Sequence, residues 1–125
     1  MSYTTFTGKR TRTGTIVLVN EGGDASANLP LYLNEVNHSP DGFEWGYYGS
    51  GPSQLAYAIL RYTYGKIFVD QKFAQELAEE FYMTFKQEVI ANIHAETWTL
   101  KEQDLWDQLM KYKENFSGEF PEGGD

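Results

Sequence analysis

The chain changes its hydrophobic period once, from short β-branched and aromatic runs before residue 20 to helical spacing after residue 50. Residues 3–7 and 15–19 have strand composition, and the polar, glycine-bounded stretch 8–14 between them predicts an N-terminal hairpin. Residues 20–28, with Gly22, Gly23, Asp24 and Ser26, have loop composition. Residues 29–36 form a short apolar and polar segment, compatible with a strand or with one helical turn. A glycine-rich junction follows, then a helix over 52–62 that is apolar almost all round and therefore central.

Over 70–94, Phe73, Leu77, Phe81, Phe85 and Val89 recur at four-residue steps beside Ala74, Ala78 and Ile93, predicting the longest helix, with Asp70 as its N-cap. Its polar face is read as Glu76, Glu79, Glu80, Lys86 and Glu88. Thr99 and Glu102 fit a capping box that opens a third helix over 100–115, burying Leu105, Leu109 and Tyr112 with Trp106 or Met110 at its flank. Strands first and helices afterwards, without βαβ alternation, predict an α+β domain: a small N-terminal antiparallel sheet packed against about three helices. The domain is expected to span 1–116, with a flexible acidic tail over 117–125.

Composition narrows the class. A chain of 125 residues, 41% hydrophobic and 16% aromatic, suffices for one domain whose core is filled by large rings. No apolar run approaches the roughly 20 residues of a membrane span, and residues 1–7 lack a secretory signal, so the expected location is the cytoplasm. Cysteine is absent, which removes disulfides and thiolate chemistry.

The net charge of −8 is uneven: four Lys/Arg against five Asp/Glu over 1–62, but six against thirteen over 63–125. Such a surface disfavours free duplex DNA, whose binding rests on Lys and Arg at phosphates. Lys9, Arg10 and Arg12 are the one basic cluster, read as solvating charges on the hairpin loop.

The junction 46–54 carries the candidate chemistry. Gly46, Gly49 and Gly51 open backbone angles closed to other residues, and Gly46 to Gly51 fits half of a phosphate-binding loop. Positions 52 and 53 are Pro and Ser where that loop needs Lys and then Ser or Thr, so nucleoside triphosphate binding is not expected. The favoured reading is structural: Gly51 as N-cap, Pro52 at the first helical position and Gln54 reaching back to the cap amide. The competing reading seats a small molecule or anion at the amides of Ser53 and Gln54, with Trp45, Tyr47, Ser50, Ser53 and Gln54 as its binding residues. His38, Asp41 and Glu44 are the candidates for an acid-base or metal cluster, although Ser39 to Gly42 is good turn chemistry without a ligand. Neither His38 nor His94 has zinc-motif spacing, and Ser50 lacks the G-x-S-x-G pattern of a nucleophile elbow. No cofactor and no metal are expected.

The stretch His38-Ser-Pro-Asp-Gly-Phe-Glu-Trp-Gly-Tyr, with Gly-Ser-Gly-Pro-Ser-Gln-Leu-Ala-Tyr-Ala-Ile-Leu60 after it, resembles the signature of a family of small uncharacterised bacterial and phage proteins. That signature reads H-S-P-x-G-F-x-W-G-Y-G-G-S-G-P-A-Q-L-A-L-A-I-L, and the likeness extends more loosely over 85–91 and 98–100, covering about 30–112. Tyr48, Ser53 and Tyr57 depart from it, replacing a glycine, an alanine and a leucine. The resemblance implies a domain of unknown function, frequently phage-borne, and supplies no catalytic residues.

Small size, an acidic helical half and thin catalytic constellations favour a non-enzymatic interaction protein, an inhibitor of a host defence or nucleic-acid-handling complex. Its expected partner is a host protein with a basic surface, met by Glu102, Asp104 and Asp107 and anchored by Trp106 and Tyr112. The anion-binding module and the enzyme around His38, Asp41 and Glu44 are the alternatives.

Overall fold

Period-two alternation puts Phe6 and Gly8 of β1 (Thr5–Thr11) on the same buried side as Val17 and Val19 of β2 (Gly14–Asn20), with Phe6 facing Val19 and Gly8 facing Val17. The computed structural model describes residues 3–121. Two further strands, β3 (Ala27–Asn28) and β4 (Thr97–Lys101), complete an antiparallel sheet of order β3-β2-β1-β4. Against it lie α1 (Ser50–Ile67), α2 (Gln71–Glu88), a 3-10 turn (Ile90–Asn92) and α3 (Glu102–Glu114). The architecture is α+β, as the order of elements predicts.

The hairpin is tighter than expected. Thr11 pairs with Gly14, so only Arg12 and Thr13 turn the chain, and Lys9 and Arg10 belong to β1 rather than to a loop. Gly8 marks no turn: a Cβ there would lie 2.2 Å from the Trp98 indole, which covers β1 from β4. Trp98 in turn meets Trp45 edge to face at 5.3 Å.

β4 replaces the expected capping box. Thr99 lies in the strand, its hydroxyl 3.3 Å from that of Thr7, and α3 starts from Lys101 without a side-chain cap. Glu102 instead turns inward to the Lys66 ammonium at 3.0 Å.

α1 buries thirteen of its eighteen residues, on every side. One core joins it to Phe6, Val17 and Val19 of the hairpin, to Phe73, Leu77 and Phe85 of α2, and to Leu105 and Leu109 of α3. Asp70 caps α2, its carboxylate accepting from the Phe73 amide at 3.1 Å. α2 stops at Glu88 rather than near His94: Val89 leaves helical angles, and the Asn92 side-chain NH2 donates to the Gln87 and Glu88 carbonyls.

Residues 29–36 form no strand. Tyr32, at φ 58°, opens a turn whose carbonyl accepts from Glu35 and Val36. Of the expected tail, the start is held against α2: the Ser117 hydroxyl donates to Glu80 at 2.6 Å, and the Phe120 ring meets Phe73 at 5.5 Å. Residues 122–125 of that tail lie outside the described residues.

Because the Trp98 ring fills the space over Gly8 and is itself wedged against Trp45, Gly8→Ala should lower stability by about 1–3 kcal/mol in urea unfolding. An unchanged urea midpoint would show that the indole yields freely.

Candidate functional site

α1 is covered on one side by irregular chain, and three of its polar side chains hold that cover in place. Gln54, Tyr57 and Arg61 recur at i, i+3 and i+7 and so share one face. Gln54 is fully buried: its carbonyl oxygen accepts from the His38 amide at 2.7 Å and the Ser39 amide at 3.2 Å, and its NH2 donates to the Leu31 and Val36 carbonyls at 2.6 and 3.1 Å. It ties down the approach to the junction and does not reach back to a cap amide. Glu35 accepts from the Tyr57 hydroxyl at 2.7 Å and from Arg61 Nε at 2.9 Å. Burial raises the pKa of the Tyr57 hydroxyl, and the Glu35 carboxylate adds to the rise.

Arg10, expected as a solvating charge, clamps the junction from the sheet. Its guanidinium bonds Glu44 at 2.7 Å, Glu96 at 2.8 Å and the Trp45 carbonyl at 3.2 Å, and lies 4.6 Å from the Trp45 ring centre. Trp45 is fully buried, its indole N–H donating to the Ala95 carbonyl at 2.9 Å. Gly46, at φ +87°, passes so close to residue 93 that a Cβ would lie 2.7 Å from the Ile93 carbonyl oxygen.

The helix starts two residues earlier than expected: the N-cap is Gly49, in extended conformation, without a side-chain cap. Gly51 lies inside the helix, and a Cβ there would meet Glu44 Cβ at 2.6 Å. The Ser53 amide already donates to the Gly49 carbonyl at 3.1 Å, so an anion cannot use the Ser53 and Gln54 amides as expected; the free amides belong to residues 49–51. Ser50, Tyr47 and Tyr48 are exposed at this helix start, while Trp45, Ser53 and Gln54 are buried.

The Ser53 hydroxyl donates to the Gly49 carbonyl at 3.0 Å and accepts from Lys86 Nζ at 2.9 Å. Lys86 is 7% exposed, and among the described residues it has no ion pair. His38 stacks on Tyr82 at 4.8 Å with its Nε2 buried and unpartnered. Sequence reasoning placed Lys86 on the solvated face of α2; its signal is that Ala78, Tyr82 and Lys86 form an i, i+4, i+8 stripe beside the main apolar one.

The other expected groupings do not assemble. His38 faces Tyr82 and Asp41 is exposed, while Glu44 is taken by Arg10, so no hydrogen bond links the three. Among the described residues no cluster of His, Asp or Glu could hold a metal ion. On α3, Asp104, Asp107 and Trp106 are exposed, but Glu102 is sealed against Lys66. Tyr112 is also buried, stacked on Phe81 at 5.0 Å and donating to Glu88 at 2.6 Å, so neither it nor Glu102 can meet a partner directly.

The carboxylates converge instead on a groove of about 730 Å³ between α2 and 116–121. Phe73, Phe116 and Phe120 give it an aromatic wall, and its acidic residues Asp70, Glu76, Glu79, Glu80 and Glu119 face one base, Lys72.

A family model described as a family of unknown function (DUF6166) matches residues 6–111, from β1 into α3, and so includes the hairpin as well as the junction. No curated protein and no solved structure matches the chain significantly. Among the described residues no helix is long and apolar enough to cross a membrane.

Gln54→Leu would leave two amides and two carbonyls without their buried partner, and should cost at least about 3 kcal/mol in urea unfolding. A loss below about 1 kcal/mol would mean that the segment 31–39 rehydrates without cost.

Burial, and then the charge of Lys86, hold the His38 imidazole below its ordinary value of 6.5. The unfolded chain therefore takes up a proton first as pH falls. The stability this group contributes is present above pH 6.5 and is lost as pH drops from there through the folded value. The fall in urea midpoint between about pH 7.5 and about pH 5.5 should shrink in His38→Phe, which keeps a ring on Tyr82. Equal falls in both proteins would place the titration elsewhere.

Proposed function

The chain belongs to the DUF6166 family of unknown function, so its role has to be read from its own surface, and we propose that it is a non-enzymatic interaction protein that grips a basic surface on another protein. The observation that carries this reading is the groove between α2 and 116–121, where five acidic residues surround an aromatic wall and face a single lysine. Carboxylates there attract a cationic partner over a distance and speed its encounter, while Phe116 and Phe120 offer apolar area for anchoring. Lys113 shows the kind of contact involved: its ammonium lies 5.5 Å from the Phe68 ring centre and 6.0 Å from that of Phe120.

A protein that handles nucleic acid carries such a basic surface, and carboxylates on this groove would take the place of phosphates. In its biological form the partner is a host protein of a defence or nucleic-acid-handling complex, met in the cytoplasm and inhibited by occupation of its basic face. Asp104, Trp106 and Asp107 on the exposed side of α3 offer a second patch for the same partner class.

Fluorescence anisotropy with a labelled arginine-rich peptide tests the reading. The native protein should bind at low salt and release as salt rises, and the double variant Glu76→Lys, Glu79→Lys should bind at least about tenfold more weakly while melting as before. Asp104→Lys with Asp107→Lys, compared in parallel, measures the share of α3. No peptide binding at low salt, or tighter binding of duplex DNA than of the peptide, would reject the proposal.

A further inference from the structure

We propose that the first turn of α1, together with Ser53, Lys86 and His38, is a binding site for a single oxoanion group of the phosphate or carboxylate kind. The reason is an unbalanced charge. Lys86 is more than nine-tenths buried, yet its ammonium makes one hydrogen bond, to the Ser53 hydroxyl at 2.9 Å, and no carboxylate among the described residues comes within ion-pair distance. A buried ammonium without a counter-charge is costly, and proteins ordinarily pair it. Three other cations that touch the core or its cover have a carboxylate: Arg10 has Glu44, Arg61 has Glu35, and Lys66 has Glu102.

The location makes the imbalance worse. Ser53 sits in the first turn of an eighteen-residue helix, and the aligned peptide dipoles concentrate positive potential at that end. No side chain caps this helix and no acidic residue lies in its first turn. Ahead of the first intrahelical bond, from the Ser53 amide to the Gly49 carbonyl, the amides of residues 49–51 have no helical acceptor. The His38 ring adds a third unsatisfied group, with Nε2 buried and unpartnered. Burial, and then the charge of Lys86, disfavour a positive charge on that ring. An ammonium, a helix start and an imidazole nitrogen thus share one region whose neighbouring carboxylate, Glu44, is already paired with Arg10, and one oxoanion would satisfy all three.

Access runs past Tyr47. A Cβ on Gly49 would lie 2.4 Å from Tyr47 Cε2, so the half-exposed Tyr47 ring lies over the helix start, and a ligand would have to pass it. Gly49 is extended at φ −150°, and its lack of a side chain leaves room for that ring.

Amide NMR of the full chain titrated with inorganic phosphate, at constant ionic strength against chloride, tests the site. Phosphate should shift the resonances of residues 49–53 saturably and raise Tm by roughly 5 °C at saturation. Parallel titrations with acetate and with a phosphate monoester distinguish a carboxylate, a free phosphate and a phosphoryl group on a larger molecule. Lys86→Met should melt higher than the native protein in chloride and lose the saturable shift, whereas Ser53→Ala, which keeps the ammonium, should retain it more weakly. Absence of a saturable shift in the native protein with all three anions overturns the proposal whatever the variants do. A shift that persists unchanged in Lys86→Met overturns it as well.

Discussion

A helix buried around its whole circumference has to be enclosed, and this requirement on α1 organises the rest of the molecule. The sheet supplies one wall through Phe6, Val17 and Val19, and α2 supplies another through Phe73, Leu77 and Phe85. The third wall is irregular chain with no ladder to satisfy its peptide groups, and buried peptide groups without partners would cost more than the packing returns. Gln54, with an acceptor and two donors on one rigid amide, resolves this with four bonds. Arg61 and Tyr57 repeat the solution two turns along through Glu35. The glycine-rich junction is the same problem at closer range: Gly46 and Gly51 allow chain to pass where a side chain would strike Ile93 or Glu44.

Enclosure also explains the electrostatics. Arg10, Arg61 and Lys66 are matched by Glu44 and Glu96, Glu35 and Glu102, so these pairs remove positive and negative charge together and the rest of the chain keeps its acidic excess. The acidic groove and the unpaired Lys86 are therefore opposite outcomes of one distribution: carboxylates in surplus outside, and a single cation inside without one.

Much of the fold was legible because it depends on local periodicity. The four-residue steps from Phe73 to Phe85 and the Asp70 cap define α2, and the all-round apolar character of α1 announces its burial. Long-range pairing was not legible. β4 is five residues long and finds β1 across about ninety positions, as the Thr7 and Thr99 hydroxyls show, so Thr99 and Glu102 matched a local capping pattern that tertiary pairing overrides. The site suffered similarly. Gln54 and Ser53 stand out in the junction's sequence, but their partners, His38, Val36 and Lys86, come from other segments. Glu102 and Tyr112 sit on an amphipathic helix whose inward side only the packed structure defines.

The placement of Trp98 over Gly8 has a consequence in time. During synthesis the N-terminal hairpin and α1 leave the ribosome well before residue 98, and α2 just ahead of it. Until then β1 has one open edge and a groove beside Gly8, and Trp45 lacks the ring it meets in the finished molecule. The nascent chain thus holds α1 and α2 beside an unfinished sheet until β4 brings Trp98 and α3 brings Leu105 and Leu109 to close the core. A chain of this topology closes its sheet only once residue 98 has been made, and the open strand edge is the stretch that a chaperone would need to shield meanwhile.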